Sequence, residues 1–177
     1  DDRGIMYFAN NNGVLSFDGY SWRAIPLPSK GLVRSILADG DRIYVGSYTD
    51  FGYFVRDEWG KMVYHSLWPK KYQSHNDEIW NIVKGADGHI YFQSFCFVYD
   101  GKKVTPYYIK EHLPLWFFQT GGQLYAQLIS DGLCRVSKTY YPPILHRRDY
   151  GNDHVMGLHQ LGKSLFLLAT NQNGLFL

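Results

Sequence analysis

The chain has 177 residues, 45% of them hydrophobic and 19% charged, which excludes an intrinsically disordered tail. The formal charge is +2, from 18 Lys plus Arg against 16 Asp plus Glu, so no electrostatic footprint for nucleic acid or an anionic membrane is present. No apolar run nears the roughly 18 residues of a membrane-spanning helix, and no basic start with an apolar stretch marks a signal peptide.

Aromatic residues stand out. Fifteen Tyr, eleven Phe and five Trp favour strands, eighteen Gly and seven Pro supply turns, and scarce Ala disfavours long helices. Two cysteines, Cys96 and Cys134, are too few for a disulfide framework in a chain this long. They are read either as one bridge or, more simply, as two separate buried thiols.

In chain order, five segments share one pattern. They are GIMYFANNNGVLSFDG from Gly4, DRIYVGSYTDFGYFVRD from Asp41, GHIYFQSFCFVYDG from Gly88, GQLYAQLISDGLCRV from Gly122 and KSLFLLATNQNGLFL from Lys163. Each has an apolar-aromatic run, a short polar break and a second apolar run. The aligned rings are Tyr7, Tyr44, Tyr91, Tyr125 and Phe166, spaced 37, 47, 34 and 41 residues apart. Spacing near 40 fits one four-stranded sheet per unit.

A further apolar strand precedes four of these blocks, as in VRSILADGD before the second. Asp39-Gly40 and Asp87-Gly88 mark hairpins from strand one to strand two, because such turns need positive φ. Asp18-Gly19 and Asp100-Gly101 turn strand three into a more polar strand four. A lone meander buries too little surface, and radial stacking of several makes a β-propeller. The fold class is therefore all-β, a propeller fragment of four-stranded antiparallel blades. The expected units are residues 1–30, 31–68, 77–110, 113–145 and 153–177. The chain starts at strand two of one unit and stops in strand three of another, which predicts three whole and two partial blades of a longer ring. The segments from Ser66 and from Ser137 are expected to be inter-blade connections, the second broken by Pro142-Pro143.

At these residues the sequence resembles the two-component regulator propeller repeat. The first unit reads GIMYFANNNGVLSFDG, and VRSILADGDRIYVG and IWNIVKGADGHIYFQS follow the same scheme. FGYF at Phe51–Phe54 and HNDEIW at His75–Trp80 are similar to the subgroup with a triple-tyrosine domain after the propeller. The resemblance implies the periplasmic sensor half of a membrane-spanning regulator, whose output is a kinase or a DNA-binding module outside this segment. It implies glycan or glycan-fragment sensing, a homodimer of the whole regulator, and a membrane link only through flanking segments. The fourth unit departs from the pattern, with Ala126-Gln127 where Gly-Thr or Gly-Ser is usual.

No phosphate-binding Gly loop, HExxH, GxSxG or CxxC motif occurs. The neighbours Asp77 and Glu78 would point to opposite faces of a strand, which disfavours a two-carboxylate glycosidase site. The chain is therefore read as non-enzymatic, with no metal and no cofactor. A propeller glycoside hydrolase or lyase, and a protein–protein platform, are the alternatives.

In a propeller, the start of strand one and the break between strands two and three converge at one face. The alignment places Arg34, Trp80, Trp116 and Met156 at the former, and Asn11, Tyr48, Asp50, Phe95, Ser130 and Asn171 at the latter. Arg34, Trp80, Trp116, Tyr48, Asn11 and Asp50 form the predicted ligand-binding set. Sugars need such a mixture, since a ring face stacks on an aromatic side chain while hydroxyls need amide and carboxylate partners. The competing reading makes Trp80 and Trp116 blade-to-blade packing residues, and turn chemistry accounts for the Asn run.

Overall fold

The computed structural model describes residues 1–48, 50–72, 78–93, 97–106, 114–137 and 141–177. Among the described residues, eighteen strands lie in five antiparallel sheets in chain order. Sheet one holds β1 (Met6–Asn10), β2 (Gly13–Phe17) and β3 (Trp22–Ile25). Sheet two holds β4 (Val33–Asp39), β5 (Arg42–Ser47), β6 (Phe51–Arg56) and β7 (Met62–Ser66). Sheet three holds β8 (Asn81–Lys84), β9 (Ile90–Gln93), β10 (Phe97–Tyr99) and β11 (Val104–Pro106). Sheet four holds β12 (Pro114–Thr120), β13 (Gln123–Leu128), β14 (Gly132–Arg135) and β15 (Pro143–Leu145). Sheet five holds β16 (Val155–Gln160), β17 (Phe166–Thr170) and β18 (Leu175–Phe176). Among the described residues, the chain is an all-β propeller fragment of three four-stranded blades and two three-stranded ones. Its only helical elements among the described residues are two 3-10 turns, Lys70–Tyr72 and Arg147–Tyr150.

The hairpins form where the acidic-Gly pairs stand. Gly40 at φ +58 and Gly19 at φ +91 take left-handed backbone that side-chain-bearing residues rarely adopt. The aligned rings Tyr44, Tyr91 and Tyr125 all sit in second strands. Strand parity then decides what each blade buries. β5 and β13 are buried along nearly their whole length, on both faces, which is why Ile43–Val45 and Leu124–Ala126 are apolar without alternation.

The chain divides into two compact units, residues 1–82 with 102–104, and residues 83–101 with 105–177. In the first, Val14 and Leu27 pack with Val33, Ile43, Val45 and Phe54 between sheets one and two. In the second, Tyr91 and Val98 meet Phe117, Leu124 and Ala126 between sheets three and four. Tyr125 and Leu133 meet Val155 and Leu168 between sheets four and five. Burial of such side chains contributes about 1.5–3 kcal/mol each.

One expectation is corrected. The segment from Ser137 is not wholly a connection, because Pro143–Leu145 is the fourth strand of sheet four. Proline is tolerated at the first residue of an edge strand, where no ladder N–H is required of it. The Pro142 carbonyl still accepts the Arg135 N–H at 3.0 Å, so the Pro-Pro pair docks onto the sheet instead of breaking it. The connection proper begins at His146 and coils into the Arg147–Tyr150 turn.

Candidate functional site

Strand one of three sheets opens with an extra residue. In sheet two, Val33 pairs with Ser47 and Ser35 with Gly46, so Arg34 is the bulged residue. In sheet four, Pro114 pairs with Leu128 and Trp116 with Gln127, leaving Leu115 in that place. In sheet five, Met156 takes it, between Val155 and Gly157. A bulge re-aims its side chain, and successive strand residues face opposite ways. Trp116 is therefore the counterpart of Ser35, not of Arg34. The equivalence of Trp80 and Trp116, drawn from text alignment, is off by one residue.

The consequences are visible in packing. Trp116 is half-buried and packs against the cluster that Phe118, Tyr125, Leu133 and Leu168 build with Tyr150 and Val155 between sheets four and five. It belongs to the second unit, whereas Arg34 and Trp80 belong to the first. Trp80 is 47% exposed. The Arg34 guanidinium lies over its ring, 4.7 Å from the centroid. Arg34 Nη2 also donates to Glu78 Oε1 at 3.4 Å. Tyr48 is 44% exposed and forms an isolated antiparallel bridge with Glu78. Arg34, Tyr48, Glu78 and Trp80 thus form one surface cluster.

The backbone beneath the cluster is tightly held. Ile79 is fully buried between Glu78 and Trp80. Its N–H donates to the Ser47 carbonyl at 3.2 Å, and its carbonyl accepts the Ser35 hydroxyl at 2.6 Å. Gly46 leaves room for its side chain: a Cβ there would stand 2.5 Å from Ile79 Cγ2. With Ile79 inward, Glu78 and Trp80 both point outward by strand parity. The ion pair itself is part-exposed, and such pairs contribute about 0–1 kcal/mol. It orients the guanidinium more than it stabilises the fold.

The remaining predicted residues are placed differently. Asp50 turns toward the outer strand β7, where Tyr64 Oη donates to it at 3.0 Å and Ser66 Oγ at 2.7 Å. Desolvation raises its pKa despite those hydrogen bonds, and the same burial and the Asp50 charge raise that of Tyr64. Asn11 is exposed in the two-residue β1–β2 hairpin, where the Asn10 carboxamide oxygen accepts the Asn12 N–H at 3.0 Å. Phe95, Cys96 and Asp77 lie outside the described residues. Cys134 is a free, buried thiol.

Two residues with a part here escape sequence reasoning. Glu78 enters that reasoning only as a carboxylate pair with Asp77. Its signal is its spacing, two residues before Trp80. Gln127, the departure from the repeat text, is 1% exposed in β13 at the counterpart of Gly46. Its Oε1 accepts the Val155 N–H at 3.0 Å and its Nε2 donates to the Asp153 carbonyl at 3.4 Å. Where Gly46 admits a side chain, Gln127 fills the space and holds the next strand's backbone. Among the described residues, no three His, Cys, Asp or Glu side chains gather as a metal-holding group.

No family model matches the chain, and no curated protein does. Solved structures do. One of them is the extracellular domain of BT4673 from B. thetaiotaomicron, assigned as a one component system. The TM-score is 0.66 at 15% identity, over 97% of this chain and 24% of that one. The chain spans about a quarter of the neighbour's length. At that identity the likeness is one of fold. Among the described residues, no helix is long and apolar enough to cross a membrane.

Proposed function

We propose that this chain is part of a ligand-sensing module in the extracytoplasmic region of a membrane-spanning regulator, and that it binds a glycan fragment without catalysing its breakdown. The observation that carries the proposal is the surface cluster of Arg34, Tyr48, Glu78 and Trp80. A tryptophan residue left 47% exposed beside a guanidinium and a carboxylate has the mixed character that sugar rings require. The fold likeness to the extracellular domain of a one component system supports the cellular role, as does the resemblance of the repeats to two-component regulator propellers. Periplasmic placement and a homodimer of the whole regulator belong to the same proposal.

The test is a panel of glycan fragments offered to the full chain. Thermal shift and titration calorimetry read binding, and a reducing-end assay reads cleavage. The expected result is a raised Tm with one glycan class and no new reducing ends. Release of reducing ends would move the chain to the glycoside hydrolase or lyase reading. Binding by none of the panel would remove the glycan and leave the protein–protein platform.

A further inference from the structure

We infer that the ligand of the Arg34–Trp80 cluster is an anionic sugar, carrying a carboxylate or a sulfate, which engages Arg34 in competition with Glu78. The inference rests on the sensing reading above and narrows it to a ligand class.

The guanidinium of Arg34 is pre-positioned. Its carbon stands 4.7 Å from the Trp80 ring centroid, a cation–π contact that fixes the group on the indole. The bulge between Val33 and Ser35 projects it outward at the sheet end. A guanidinium carries five N–H donors in a rigid fork. Among the described residues, the hydrogen-bond partner of that fork is Glu78, through Nη2 at 3.4 Å. That distance is long against the roughly 2.7–2.9 Å of a strong charge-assisted bond. The Arg34 side chain is 34% exposed and that of Glu78 22%, so an incoming group reaches the fork from solvent.

An uncharged sugar would leave most of these donors to water. A carboxylate or sulfate matches the fork in two parallel hydrogen bonds. The exposed parts of Trp80 and Tyr48, 47% and 44%, supply ring surfaces for the rest of the ligand. Glu78 has two consequences. Its charge weakens an anion's attraction to Arg34, and its loose contact gives way to a better one. Removing the Glu78 charge should therefore strengthen binding of an anionic ligand, the opposite of what loss of an ordinary sugar-contacting carboxylate would do.

The experiment uses calorimetry on the full chain with three probes of equal length: an oligouronate, a sulfated oligosaccharide and a neutral oligosaccharide. Wild type should bind an acidic probe and not the neutral one, with affinity falling as salt rises. Arg34→Gln should lose about 10- to 100-fold for the acidic probe, the scale of a hydrogen bond to a charged group. Glu78→Gln should gain about 2- to 5-fold, the scale of a part-exposed ion pair. Binding of only one acidic probe identifies whether carboxylate or sulfate is the source of the charge. Equal binding of neutral and acidic probes, with Arg34→Gln unchanged, would overturn the inference and leave the glycan reading standing. Weaker binding by Glu78→Gln would also overturn it. Failure of all three probes with wild type would sink both.

Discussion

Gly46→Ala tests whether the packing beneath the cluster is what holds it. Gly46 is buried in β5, and its backbone is ordinary, so the conflict is one of space. The added Cβ would meet Ile79 Cγ2 at 2.5 Å and Ile79 Cβ at 2.6 Å, and would also press on the Ser35 hydroxyl. Ile79 is fully buried and branched at Cβ, so it cannot swing aside as the end of a flexible chain would. Overpacking of this kind costs about 1–3 kcal/mol. Losing the Ser35–Ile79 hydrogen bond adds about 1 kcal/mol. The expected loss is about 2–4 kcal/mol, a large share of the stability of a single domain. Because Glu78 and Trp80 flank Ile79, ligand affinity should fall with stability. Urea denaturation of the full chain reads the first and calorimetry the second. The Ile79→Ala background sharpens the test. If the two side chains compete for one space, the double variant should be more stable than the sum of the single losses by about 1–3 kcal/mol. A Gly46→Ala loss below about 0.5 kcal/mol, or strict additivity with Ile79→Ala, would refute the steric argument.

Three further outcomes follow from the same structure. Trp116→Ala should cost about 2–4 kcal/mol of stability and leave ligand affinity unchanged, whereas Trp80→Ala should abolish binding with a loss below about 1.5 kcal/mol; denaturation and calorimetry on both variants separate them, and the reverse pattern would return Trp116 to the site. Asp153 is buried and desolvation opposes its charge, but N–H donors of Gln172, His154 and Asn173 outweigh that and hold its pKa below the usual value. A depressed folded-state pKa contributes stability above the unfolded-state value near 4, lost as pH falls through the folded one, so Asp153→Asn should flatten the acid limb of a Tm-versus-pH curve and lower Tm at pH 7. Burial pushes the Cys134 thiol up to about 11, with the Asp131 charge adding to it, so in a Cys96→Ser background it should react with a disulfide reagent at pH 8 only on unfolding; rapid labelling of the native chain would contradict its placement.

Strand content, hairpin positions and the stacking of apolar second strands were legible in the residues. Each is local: positive φ at Gly40 or Gly19 and the short apolar run Ile43–Val45 in β5 depend on neighbours in the chain. The pairing of Arg34 with Trp80 was half legible, as a shared repeat position. Tertiary structure alone decided three points. The bulge at strand one fell on Leu115, which turned Trp116 against the core, because a one-residue slip reverses every side chain beyond it. Pro143 became an edge-strand residue because its missing N–H faced away from any partner that required it. Gln127 became a backbone latch because burial in β13 brought the Val155 N–H within 3.0 Å of its carboxamide oxygen, a meeting of residues 28 positions apart that no local pattern encodes.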